Sequence, residues 1–123
     1  MTHVDAQFGC ESAAAGAARA TVDAALRVWH LDDLAGVATL LTSELVTNAV
    51  LHARTDVRVV ARHTPGEVIV LVFDGSDVIP SPSAASPEDE GGRGLLMVQH
   101  LSRDWGVERT EQGKVVWFAL SSP

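Results

Sequence analysis

The chain has a single cysteine, Cys10, and a single lysine, Lys114, among its 123 residues. One thiol leaves no partner for an intrachain disulfide and no set of thiolates for a cysteine-based metal site. Positive charge is scarce as well. Nine Lys and Arg face sixteen Asp and Glu, for a net charge of −7. Neutralising a phosphate backbone needs a basic patch, so nucleic acid is not an expected partner. Trp29, Trp105 and Trp117 lack the basic groove of a base-stacking platform and read as packing residues. The longest apolar run, Val68 to Phe73, is far too short to cross a bilayer. The N-terminus lacks the basic stretch and apolar run of a signal peptide, so no membrane and a cytoplasmic address are expected.

What is present reads as one globular domain: 46% hydrophobic residues, 20% charged, and no internal repeat. Residues 1–10 are mixed and expected to be loosely held, with the domain proper over 11–123. Ser12 to Trp29 carries Ala18, Val22, Ala25, Leu26 and Trp29 at helical spacing, with Ser12 as the cap. Val22, Leu26 and Trp29 could serve the core or a dimer interface. A second helix, capped by Asp32 or Asp33, runs to about Ala53, with Leu34, Val37, Leu41 and Leu45 in one stripe.

DVRVVARH (56–63) and EVIVLVF (67–73) form a hairpin around Thr64-Pro65-Gly66. Residues 74–94 are rich in Gly, Ser and Pro and read as a long loop. A third helix follows from Leu95 to about Arg103, then strands at WGVERT (105–110) and KVVWFAL (114–120). That order suggests an α+β, two-layer sandwich, with helices packed on one face of a mostly antiparallel sheet.

Four places could carry chemistry. Glu44, Asn48 and His52 stand at i, i+4 and i+8 in ELVTNAVLHA, on one face of the second helix. They interrupt a buried stripe, as ordinary core polar groups or as groups satisfied by a ligand or a metal-bound water. Asp74 ends an apolar strand before Gly75, either as a turn signal or as a carboxylate accepting from a ligand amine. Gly91-Gly92-Arg93-Gly94-Leu95 precedes a helix, as a hinge or as an anion cradle of backbone N–H groups helped by Arg93. Gly113-Lys114 reads most simply as a hairpin turn with one exposed lysine.

Taken together and in this order, these segments resemble the nucleotide-binding fold shared by gyrase, Hsp90 chaperones, histidine kinases and MutL. ELVTNA, VFDGS, GGRGLLMV, WGV and GKVVWFAL are most similar to the bacterial anti-sigma-factor serine/threonine kinases. The similarity covers roughly residues 17–120. The resemblance implies a Bergerat-type fold that binds ATP and Mg²⁺. It implies Asn48 as the metal ligand, Glu44 as the catalytic base and Asp74, with Gly75, at the adenine amine. It further implies Gly91, Gly92, Arg93, Gly94 and Leu95 along the phosphates and 75–90 as an ATP lid. Lys114 is a candidate cofactor contact beside this set, and His52 either touches the cofactor, packs behind the site or hydrogen-bonds to the lid. The implied activity is phosphorylation of a serine on an anti-sigma-factor antagonist of the STAS type, with sequestration of a sigma factor by a homodimer. The alternative is a catalytically weak ATP-binding interaction module, motivated by the acidic run Glu88-Asp89-Glu90.

Overall fold

The computed structural model describes residues 2–79 and 90–123, with residues 90–93 described by their backbone alone. Five strands form one antiparallel sheet: β1 (His3–Phe8), β2 (Val57–Thr64), β3 (Glu67–Asp74), β4 (Asp104–Arg109) and β5 (Lys114–Ser121). Their spatial order is β1-β2-β3-β5-β4. The α+β sandwich expected from the sequence is the observed architecture. All three helices, α1 (Ala14–Val28), α2 (Ala35–Asn48) and α3 (Glu90–Leu101), stack on one face of the sheet.

The N-terminus corrects the sequence reading. Instead of lying loose, His3–Phe8 adds an edge strand along β2, with His3 opposite Arg62 and Phe8 opposite Val57. Val4, Ala6 and Phe8 are half-buried and alternate with exposed His3, Asp5 and Gln7, the period-2 pattern of a strand covered on one face. Arg58 fastens it by donating to both carboxylate oxygens of Asp5, Nε at 2.9 Å and Nη2 at 2.5 Å. Such forked pairs fix geometry as well as charge.

Helix boundaries also differ. α1 begins at Ala14 rather than Ser12, and no side chain caps it. The chain enters through a backbone turn in which the Ala14 N–H donates to Glu11 O at 3.1 Å, so Ser12 has no capping role. Ala14, Ala18, Val22, Ala25 and Leu26 form its buried stripe. Trp29 closes the helix beside His63 of β2, ring centres 5.5 Å apart. Val22, Leu26 and Trp29 therefore belong to the core. A 3₁₀ turn at Asp32–Leu34 leads into α2, and neither aspartate caps it through its side chain.

α2 is the central helix, packed between α1 and α3 and over β3. Together with its flanking turns it spans Asp32–Ala53, long and apolar enough by length and composition to cross a membrane. Here one face of it meets neighbours: Ala38, Leu41, Thr42, Leu45 and Val46 are buried, while Leu40 and Leu51 stay exposed.

The sheet meets the helices through alternate residues: Val57, Val59 and Ala61 of β2, Val68, Val70 and Val72 of β3, and Val116, Phe118 and Leu120 of β5. Alternation continues past the apolar rows. Two residues beyond Val72 comes Asp74, and two before Val116 comes Lys114, so both turn toward the helices.

Candidate nucleotide site

A cavity of about 220 Å³ opens where these rows end beneath α2 and α3. Leu45, Ala49, Val72, Leu95 and Val116 form its apolar walls; Asn48, His52, Asp74, Ser76 and Lys114 supply its polar groups. Apolar faces with a few placed polar groups at the edges suit a flat, polar-edged ligand.

Asp74 and Lys114 are direct cross-strand partners in the β3–β5 register. Lys114 Nζ lies 2.9 Å from each oxygen of the Asp74 carboxylate. Asp74 is 9% exposed and Lys114 8%, which corrects the simple picture of an exposed turn lysine. The Asp74 Oδ1 also accepts the Ser76 N–H at 2.8 Å. Thr55, which the sequence did not single out, and Gly113, which reads there as a simple turn, hold this corner. Thr55 Oγ1 accepts the Gly75 N–H at 2.9 Å. Gly113 lies so close to the backbone of Asp74 and Gly75 that a Cβ there would overlap the Asp74 carbonyl oxygen. Only a glycine admits this approach, and it carries Lys114 onto Asp74.

The opposite end is built from helices. Asn48 is the last residue of α2, and the chain then widens into one π turn, Ala49–Ala53. The Arg54 N–H donates to Ala49 O at 2.8 Å, and Arg54 stops the helix in the left-handed conformation at φ 57°. Such π turns shift the phase of the following side chains and recur at functional sites. His52 still lines the cavity but is exposed, so the three-residue row of the sequence is two residues and a displaced third.

Gly94 brings α3 to this row. A Cβ on Gly94 would stand 2.7 Å from Asn48 Nδ2 and 3.4 Å from Glu44 Cβ. The glycine motif thus meets Asn48 and Glu44 directly. It does so as the first turns of a helix, because α3 starts at Glu90 rather than Leu95. Gly91, Gly92 and Gly94 are helical, and the N–H groups of Gly91 and Gly92, in the first turn, have no partner within the helix. Leu95 is buried and lines the cavity. Glu44 is half-buried and stands outside the cavity lining, as does exposed Gly75. The expected contact of the Arg93 side chain and the acidic run Glu88-Asp89-Glu90 lie outside the described side chains, as does most of the proposed lid.

Among the described residues, no three His, Cys, Asp or Glu side chains form a metal cage. Mg²⁺ does not need one. It takes one or two protein oxygens and leaves its other positions to phosphates and water, so the single amide oxygen of Asn48, one helical turn from Glu44, fits that need.

The model of the histidine kinase-like ATPase domain family matches residues 9–120. The chain belongs to that family. It is a histidine-kinase-type, kinase-like ATP-binding domain by that membership, and the family binds ATP, usually with Mg²⁺. Among solved structures, it is similar to the histidine kinase domain from the Erythrobacter litoralis EL346 blue-light activated histidine kinase. The identity is 29% and the TM-score 0.55, over 72% of this chain and 45% of that one. The chain therefore spans less than half the length of that protein. No curated protein matches it.

Proposed function

We propose that this ATPase domain is a cytoplasmic regulatory protein kinase that uses Mg·ATP to phosphorylate a serine on an anti-sigma-factor antagonist of the STAS type, and that it sequesters a sigma factor, acting as a homodimer. The observation that carries the nucleotide part is convergence: ELVTNA, VFDGS and GGRGL, far apart in sequence, meet around one cavity. The substrate class rests on the resemblance of those segments to the anti-sigma-factor kinases.

In this reading Asp74 accepts from the adenine amine while Leu45, Val72 and Val116 flank the base. Asn48 holds Mg²⁺, which would neutralise phosphate charge. Gly91, Gly92 and Gly94 lie along the phosphates, the first-turn N–H groups of Gly91 and Gly92 as donors, with Arg93 beside them. His52 lies at the open side. The serine oxygen attacks the γ-phosphorus, the bond from that phosphorus to the bridging β–γ oxygen breaks, ADP leaves, and the Glu44 carboxylate takes the serine proton. Transfer of this kind depends chiefly on positioning and charge neutralisation.

One observation favours a second reading. The acidic run Glu88-Asp89-Glu90 adjoins the glycine motif in sequence and would repel phosphate, as suits a module that binds ATP but transfers phosphate slowly or not at all. Incubation with γ-labelled ATP and a STAS-type antagonist separates the two. Label on an antagonist serine, lost in Glu44→Gln, is the expected result. Bound nucleotide with no transferred label would overturn the kinase in favour of the binding module.

A further inference from the structure

We infer that Lys114 is a base-reading residue: its ammonium donates a hydrogen bond to the ring nitrogen beside the exocyclic amine of the purine, while Asp74 accepts from that amine. The inference rests on the nucleotide reading of the cavity and deepens it.

Ionisable side chains are rarely buried without a purpose or a partner, and this pair is both buried and cavity-facing. Its hydrogen-bonding capacity is not exhausted by the pairing. A carboxylate has about four acceptor sites. Asp74 Oδ1 receives Ser76 N–H and Lys114 Nζ, whereas among the described residues Oδ2 has only the ion-pair contact with Lys114. An ammonium carries three donors, and contacts to two carboxylate oxygens engage at most two of them. One acceptor and one donor, side by side on neighbouring strands, remain for a ligand.

A lone carboxylate would present acceptors only. An acceptor next to a donor is the complement of the adenine edge, where a donating amine adjoins an accepting ring nitrogen. Gly113 fixes the arrangement. Its close approach to the Asp74 and Gly75 backbone leaves no room for a Cβ, so the first residue of β5 is delivered beside the strand-end carboxylate. Lys114 thus adds a second point of reading to the base, and a directional one.

The test compares ATP with 1-deaza-ATP, in which a C–H replaces that ring nitrogen, by titration calorimetry with Mg²⁺ on the whole chain. A hydrogen bond from a charged donor corresponds to roughly 10- to 100-fold in affinity, so wild type should favour ATP by that factor. Lys114→Met should bind both nucleotides equally. Should that variant fail to fold, the Asp74→Asn/Lys114→Met double variant, which removes both buried charges, takes its place with the same expectation. Equal affinities in the wild type, or an undiminished preference in the lysine-free protein, would overturn the inference and leave the pair a structural bridge. Absence of binding by either nucleotide to wild type would instead overturn the nucleotide reading itself.

Discussion

The two ends of the cavity are made differently. At one end, strands place a carboxylate and an ammonium by register alone: Asp74 and Lys114 are cross-strand partners that continue apolar rows. At the other, two helices meet at a glycine, and Asn48 and Glu44 are set by how closely Gly94 lets α3 approach α2. The strand end couples site and stability, because the charges that would read a ligand are also the buried charges of the fold. The helix end separates them, since its polar residues are half-buried and its functional groups sit at helix termini.

This difference can be broken from the strand side first, where the largest effect is expected. Asp74→Ala strands the Lys114 ammonium in the core. Removing one partner of a buried ion pair costs about 3–5 kcal/mol, which lowers the midpoint of a domain this size by roughly 10–20 °C. Replacing both, as Asp74→Leu/Lys114→Met, should restore most of that stability and none of the nucleotide binding. Calorimetric scans with and without ATP read both properties.

A smaller effect is expected at the helix end. Gly94→Ala improves helix propensity by about 1 kcal/mol, while crowding against Asn48 costs about 1–3 kcal/mol. The net loss should be near 1 kcal/mol by urea titration, yet Mg·ATP affinity should fall at least tenfold. Near-normal affinity would separate the glycine motif from the ligand. Asn48→Ala should do still less to the fold, about 1 kcal/mol or under. It should remove the ATP binding that depends on Mg²⁺.

The smallest effect belongs to the sheet edge, far from the cavity. The Arg58 guanidinium, through its hydrogen bonds, holds the Asp5 carboxyl below its ordinary value of 3.8. A lowered carboxyl stabilises above that ordinary value, and the contribution is lost as pH falls through the lowered one. Amides of β1 should therefore exchange faster at pH 3 than at pH 5 relative to those of β3, and Arg58→Ala should erase the difference.

Much of this was legible in the chain. The α+β order and the two hairpins follow from period-2 runs. The β1 strand was legible too, in Val4, Ala6 and Phe8, but three apolar residues alternating with polar ones on a single edge give a weak form of that signal. α3 was read five residues short because glycine is a poor helix former. Here the close contact of Gly94 with Asn48 requires a glycine within the helix. The displacement of His52 had no signal, since nothing in AVLHA distinguishes a π turn from an α turn. Lys114 was misread because Gly113 pointed to an exposed turn. Extending the alternation of Val116, Phe118 and Leu120 by one step would have turned its side chain inward.

The thermal midpoint with millimolar ATP, in Mg²⁺ and in chelator, tests the central claim most directly. A ligand at about 100 times its dissociation constant stabilises by about 2.7 kcal/mol, several degrees in a domain this size. The account predicts a rise of that order that requires Mg²⁺ and vanishes in Asn48→Ala. An unchanged midpoint at saturating nucleotide would contradict it, and would mean that Asn48, Gly94, Asp74 and Lys114 meet for the sake of the fold alone.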